Sequence, residues 1–351
     1  MNIYGLTLEE MEDYFVNKLN SKKFHALQLF GWLYEKRVKS YGEMSNIKKD
    51  LLDIISRDYS IDRLKIVSVE EDKDVSKFLF ELNDFEHIEA VLMRHDYGNS
   101  VCISSQVGCN MGCKFCESGR RKKVRNLETY EMVLQIIMIE ELIHERVSHV
   151  VVMGIGEPFD NYDNLCKFLR IINHPKGMAI GARHITVSTC GIVPKILEFS
   201  DFPLQINLAI SLHAPNNELR NKIMPINKAY PIDVLIPALK TYLEKTNRRI
   251  TFEYILLKDI NDSLYCALEL VKLVKGINCY INLIPYNETE NIGFKRTNTI
   301  QIMRFYDILK KNNVNVTIRR EFGGKISAAC GQLRSKKEEV WNLFIWQILE
   351  K

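Results

Sequence analysis

Apolar positions change their spacing twice along the chain. Over the first sixty residues Leu27, Phe30, Leu33 and Tyr34 recur at intervals of three and one, which places them on one helix face, and Thr7 followed by Glu10 forms a capping box. A small helical accessory module is predicted over residues 1–62. Between Leu64 and Met93 the period falls to two: Phe78, Phe80 and Leu82 alternate with polar neighbours in KFLFEL, and charged turns such as EEDKD separate the runs. This predicts a β meander over 63–98. From about Ser100 onward seven β-branched runs, VCISS, HVVVMG, HITVST, QINLAIS, ITFEYILL, CYINLIPY and NVTIRR, are separated by amphipathic stretches. Strand and helix in alternation predict an α/β core over 99–335, its parallel sheet closed or partly closed into a (β/α) barrel. A catalytic loop ends that core, and a C-terminal helix is predicted over 336–351.

Ligands of such barrels bind at the carboxyl ends of the strands. The polar motifs fall there: GIGE after the second parallel run, Ser188 at the end of the third, SLH after the fourth and PYN after the sixth. At 351 residues the chain buries an ample core without disulfides. Its amino terminus has no basic region followed by an apolar run, and no segment approaches the roughly 18 apolar residues of a membrane span. A cytoplasmic protein is expected. The balance of 48 Lys and Arg against 44 Asp and Glu permits a nucleic-acid partner without requiring one.

In a reducing compartment closely spaced cysteines point to metal ligation or redox chemistry rather than to bridges. Four of the nine cysteines fall in CISSQVGCNMGCKFC, and Cys109, Cys113 and Cys116 form CxxxCxxC. Three thiolates on one tight loop suit three irons of a 4Fe-4S cluster, with the fourth iron left to bind a small molecule. Zinc would need a fourth close ligand, and no Cys or His follows at finger-like spacing. The remaining reading is a loop of unligated thiols.

A cysteine loop of this spacing at the mouth of a parallel barrel resembles the radical S-adenosylmethionine (SAM) superfamily. The blocks CISSQVGCNMGCKFC, MGIGEPFDNYDN, ARHITVST, SLHAPNNELRNKIMPIN, NLIPYN and VTIRREFGGKISAACGQL resemble, in order and over nearly the full length, the RlmN family of RNA adenine methyltransferases. The sister Cfr group shares most of them. The resemblance implies a partial barrel of the radical SAM type, a 4Fe-4S cluster on Cys109, Cys113 and Cys116, and SAM contacts from Gly156, Glu157, Ser188, Ser211, Leu212, His213 and Asn287. It implies that Cys330 is methylated and carries the methyl group, with Cys102 as its transient disulfide partner. Glu89, which by itself reads as a solvated strand residue, sits where the family has a proton acceptor.

Carbon 2 of adenine is electron-poor and has no lone pair, so it cannot attack the methyl of SAM directly. In the mechanism the resemblance implies, one SAM methylates Cys330 and a second is cleaved reductively to a 5'-deoxyadenosyl radical, which takes a hydrogen from the S-methyl group. The carbon then joins adenine, a base removes the ring proton, and Cys102 frees the product by attacking the Cys330 sulfur. The implied partners are 23S rRNA, with tRNA as a possible second substrate, and an electron donor such as flavodoxin or ferredoxin. A monomer is expected. Rival readings are a Cfr-like methyltransferase acting on carbon 8 and a non-catalytic iron-sulfur RNA-binding protein. Arg120, Arg121, Lys122, Lys123 and Arg125 are candidate phosphate contacts or a solvated loop, and Arg319 and Arg320 are the better candidates. Glu117 stands where the family has a small residue, and its carboxylate is expected to point to solvent. Cys166, Cys190, Cys266, Cys279, Met153 and Met178 read as packing.

Overall fold

A computed structural model describes residues 1–289 and 292–319. Cys330, Arg320 and the helix expected over 336–351 lie outside the described residues. The chain begins with three helices, α1 (Leu8–Asp13), α2 (Lys23–Tyr34) and α3 (Lys49–Asp58). Thr7 caps α1 through the predicted box, in which Glu10 reaches back to the Thr7 backbone. On α2 the buried stripe is Ala26, Leu29, Phe30, Leu33 and Tyr34, so the expected face is present but Leu27 is only half-buried at its margin.

Strands β1 (Lys65–Asp72), β2 (Val75–Glu81), β3 (His87–His95) and β4 (Gly98–Ile103) follow as an antiparallel series. A short ribbon, β5 (Gln106–Val107) with β6 (Arg125–Asn126), precedes α4 (Thr129–Ile143). The alternating core then runs β7 (Val147–Val152), α5 (Tyr162–Asn173), β8 (Ile185–Thr189), α6 (Val193–Phe199), β9 (Asn207–Ser211), α7 (Asn217–Ile223), α8 (Ile232–Thr246), β10 (Ile250–Leu256), α9 (Leu264–Val274), β11 (Cys279–Pro285), α10 (Thr299–Lys311) and β12 (Val316–Ile318).

One ten-stranded sheet, in the order β1-β2-β3-β4-β7-β8-β9-β10-β11-β12, carries everything except the ribbon. Strands β4 and β7 through β12 are mutually parallel and answer the seven β-branched runs in turn. The sheet is open: β1 and β12 are its two edges. The meander expected over 63–98 forms β1 to β3 and continues the sheet in antiparallel fashion, with β4 belonging to both series. That position explains why β3 is buried on both faces. Ile88, Ala90 and Leu92 enter the main core, while Glu89, Val91 and Met93 face the other way. Among the described residues no helix is long and apolar enough to cross a membrane.

Candidate active site

The loop carrying the three cysteines is tied at its base by the β5–β6 ribbon. The Cys109 N–H donates to the Arg121 carbonyl (2.9 Å) and the Val124 N–H to that of Val107 (2.8 Å). Gly108 makes this closure possible: its φ is +73°, and a Cβ there would lie 2.3 Å from the Lys122 carbonyl oxygen. The loop leans on α7 through the Lys114 N–H, which donates to the Ile223 carbonyl (2.9 Å).

Cys109, Cys113 and Cys116 line one cavity at the carboxyl ends of the parallel strands. Cys102, from β4, lines the same cavity, level with Val91 of β3 and Val151 of β7 in the two ladders. The sequence-predicted Gly156, Glu157, Ser188, Ser211 and His213 are also brought together there. Leu212 is not: its side chain is fully buried in the main core and its carbonyl is occupied by Arg220. Asn287 is half-buried just past β11, outside the cavity lining. Glu89 is buried rather than solvated, 3.3 Å from the Lys77 ammonium. Cys330 lies outside the described residues.

The polar groups of the floor are held mainly by backbone. Glu157 accepts hydrogen bonds from the Cys190 N–H (2.8 Å) and the Phe159 N–H (3.0 Å), and burial raises its pKa. Gly156, at φ +110°, lets this turn press on Gln106, whose Cβ would be 2.6 Å from any added Cβ. The Nδ1 of His213 accepts from the Ile255 N–H (3.0 Å), so the neutral ring carries its proton on Nε2. Burial and the Arg220 charge hold its pKa down at about 3, and the ring stands edge-on to Phe115 with centroids 4.8 Å apart.

Several residues that organise the site had no role in the sequence reading. Arg220 is fully buried and donates to the carbonyls of Cys190 (2.7 Å), Ser211 (3.2 Å) and Leu212 (3.1 Å) and to the Asn227 amide oxygen (2.9 Å). It thereby pins the ends of β8 and β9. Ser104 donates to the Glu89 carbonyl (2.6 Å) and accepts from the Ile155 N–H (3.0 Å), joining the antiparallel wall to the GIGE turn. Glu253 lines the cavity, accepts from the Asn282 amide (2.8 Å), and is raised in pKa by burial against the opposing charge of Arg319. Its signal in the sequence was a lone carboxylate inside the apolar run ITFEYILL. Met153 and Cys190, read as packing, also line the cavity.

The basic run is committed to the protein. Arg121 pairs with Glu86 (2.6 Å), Lys123 with Asp160 (2.6 Å), and Arg125 with Glu131 (2.7 Å) and Asp84 (2.6 Å). Each of these three is thus already paired with an acid of the protein while its side chain stays partly exposed. Glu117 is also corrected: it is buried, reaches Arg120 only at 3.4 Å, and its Oε1 has no hydrogen-bond partner among the described residues. The short helical turn after Cys116 folds it inward, near enough to Tyr286 for its charge to help raise that phenol's pKa.

The donor set fits an iron-sulfur cluster. Burial pushes the Cys109 thiol up to about 12 and Cys113 well above its ordinary value, and the neighbouring thiols add to both rises. Thiolates in such a place require a strongly cationic partner, which iron supplies. Among the described residues no three His, Cys, Asp or Glu side chains are close enough to share a single metal ion. A multinuclear cluster, whose ligands sit on separate irons, is the group that suits these cysteines.

An open parallel sheet with this cysteine loop over its carboxyl edge is the architecture of a radical SAM protein, and the Radical SAM superfamily model matches residues 103–269. The model for the ribosomal RNA large subunit methyltransferase N-terminal domain matches residues 1–61. The chain is 53% identical to a probable dual-specificity RNA methyltransferase RlmN of Spiroplasma citri, covering 97% of this chain and 99% of that protein. It is 54% identical to one of Enterococcus faecalis with the same coverage. A solved radical SAM methyltransferase from Sphaerobacter thermophilus, 40% identical, superposes with a TM-score of 0.90 over 96% of this chain and 100% of that one. The chain belongs to the RlmN family.

Proposed function

We propose that this chain methylates carbon 2 of an adenosine in 23S rRNA and, as the dual specificity of its relatives' names supports, a second RNA that we take to be tRNA. The observation that carries the reading is the cavity shared by Cys102 and the three-cysteine loop. Cys109, Cys113 and Cys116 hold the 4Fe-4S cluster, and Gly156, Glu157, Ser188, Ser211 and His213 line the place for SAM. When bound, the cluster would supply the electron for reductive cleavage of SAM and so the hydrogen abstraction that an unactivated S-methyl group requires.

The chain's own residues do the rest. Cys330 accepts a methyl group by displacement and becomes the thioether whose carbon joins the base. Glu89 takes the proton from carbon 2, and the unpaired electron that radical addition leaves on the ring would pass to the oxidised cluster, so that the adduct with Cys330 is a closed-shell thioether. Cys102 attacks the Cys330 sulfur, an S–S bond replaces the S–C bond, and the departing carbon takes up a proton to become the methyl group. Glu157, buried and fixed by two backbone N–H groups, orients an ammonium or hydroxyl partner without side-chain reorganisation. Electrons come from an external donor of the flavodoxin or ferredoxin type, and the enzyme works as a cytoplasmic monomer on a base drawn out of its stack.

The test is Cys102→Ala in reconstituted enzyme with SAM, reductant and an rRNA fragment. Iron content and S-methylation of Cys330, read by peptide mass spectrometry, remain, while a protein–RNA adduct that survives denaturing electrophoresis accumulates. Normal turnover without adduct overturns the role of Cys102. Mass spectrometry of the nucleoside product separates 2-methyladenosine from 8-methyladenosine, and absence of 5'-deoxyadenosine with RNA present would leave a binding protein.

A further inference from the structure

Beside the cavity stands a buried cation with no part in the chemistry above. Lys77 lies on β2, opposite Glu70 of β1 and Val91 of β3 in the two ladders. Its Nζ is 3.3 Å from Oε1 of Glu89 and 3.0 Å from Oε1 of Glu70. Exposure rises along this row: the side chains of Glu89 and Lys77 are 3% and 4% exposed, that of Glu70 47%. Val75, Val91 and Met93 pack on the same wall and surround the row with apolar surface.

Neutralising Glu89 requires one cation and nothing more. A buried ion pair is costly by itself, and a second carboxylate on the same ammonium, standing at the surface, is not explained by charge balance. It is explained by turnover. A base that takes one ring proton per cycle must lose it before the next, and a carboxyl as buried as Glu89 cannot hand its proton directly to bulk water.

We propose that Lys77 and Glu70 form the proton exit of Glu89, an inference that rests on the reading of Glu89 as the base. The Lys77 ammonium gives one proton to the Glu70 carboxylate and takes the proton held by the Glu89 carboxyl. Lys77 begins and ends as ammonium, Glu89 returns to carboxylate, and Glu70 releases the proton to water. Lys77 acts through Glu89 and is a positioning and relay residue.

The experiment uses the full-length reconstituted enzyme with an rRNA fragment and compares the first turnover with the steady state. Glu70→Gln leaves the Lys77–Glu89 pair intact, and Lys77→Arg keeps its charge but cannot give up a proton. Both variants should complete the first turnover at the wild-type rate and then cycle about a hundredfold more slowly, the low end of what a positioned proton-transfer group contributes. Added acetate should restore cycling of Glu70→Gln. Unchanged steady-state rates in both variants overturn the exit; if Lys77→Arg fails to fold, Glu70→Gln at an exposed position decides alone. Glu89→Gln separates the two readings. A stalled first turnover there with normal cycling in the relay variants removes only the exit, whereas a normal first turnover removes the base and the exit with it.

Discussion

The two walls of the cavity solve the problem of buried polarity in different ways. The floor, built from the ends of β7 to β10, holds its polar side chains mainly against backbone: Arg220 on the carbonyls of Cys190, Ser211 and Leu212, Glu157 on two N–H groups, His213 on one. The antiparallel wall of β1 to β3 pairs side chain with side chain in the row Glu70, Lys77, Glu89, which runs outward to water. Backbone partners cannot titrate or rotate away, so the floor is rigid and keeps its protonation states. Side-chain partners can exchange protons, and that suits the wall to a group that changes charge in every cycle. The difference follows from topology, because crossover strands end in loops whose N–H and C=O groups are free to bond inward, while hairpin strands spend theirs on the ladder.

If the floor is rigid because backbone holds it, Arg220→Met should give the largest effect. Five acceptors lose a hydrogen bond from Arg220 in a site that is almost wholly buried, and the loss should be about 3 kcal/mol or more, read from urea unfolding midpoints. A loss under about 1 kcal/mol would break the comparison.

Acid should expose the same rigidity. His213 stays neutral in the fold down to about 3, while in the unfolded chain it titrates near 6.5. Below 6.5 the unfolded state binds a proton that the native state refuses, so stability falls as the pH drops toward 3, by about 1.4 kcal/mol per unit. Glu157 and Glu253, with raised pKa, act with the opposite sign, since the native state takes their protons first on acidification. Unfolding midpoints of wild type and His213→Asn between pH 7 and 5 should diverge on the acid side, with wild type losing more. Parallel curves would mean that the ring is not locked.

Glu117, on the cysteine loop, is an exception: a buried carboxylate with one oxygen that has no hydrogen-bond partner among the described residues. Replacing it by Ala should leave stability unchanged or raise it by about 1 kcal/mol, since an unsatisfied buried acceptor is removed. A clear loss in the thermal midpoint would show that it has a partner in the folded protein. The smallest effect is expected where the basic run meets solvent: Arg121→Ala breaks a partly exposed pair with Glu86 and should cost under about 1 kcal/mol. Iron content and RNA affinity should change little. A large fall in RNA binding would return Arg121 to the phosphate contacts.

The order of elements, the capping of α1, the seven parallel strands and the three-cysteine loop were determined by the sequence alone. Each is local: a period of two or of 3.6, a cap three residues from its partner, thiols spaced within one turn of loop. Family resemblance carried the strand-end residues further than spacing could. Tertiary structure decided what local pattern does not encode. The meander and the parallel strands share one sheet, a junction no local pattern states, because β4 pairs with β3 on one side and β7 on the other. Arg220, which had no role in the sequence reading, is the most deeply buried cation among the described residues, and Arg121, Lys123 and Arg125 find acids 35, 37 and 41 residues away in sequence. Glu117 turns inward and Glu89 meets Lys77 for the same reason: a charged side chain's environment is set by what the chain brings to it from a distance, and one strand's alternation says which face it takes but not whether that face meets water.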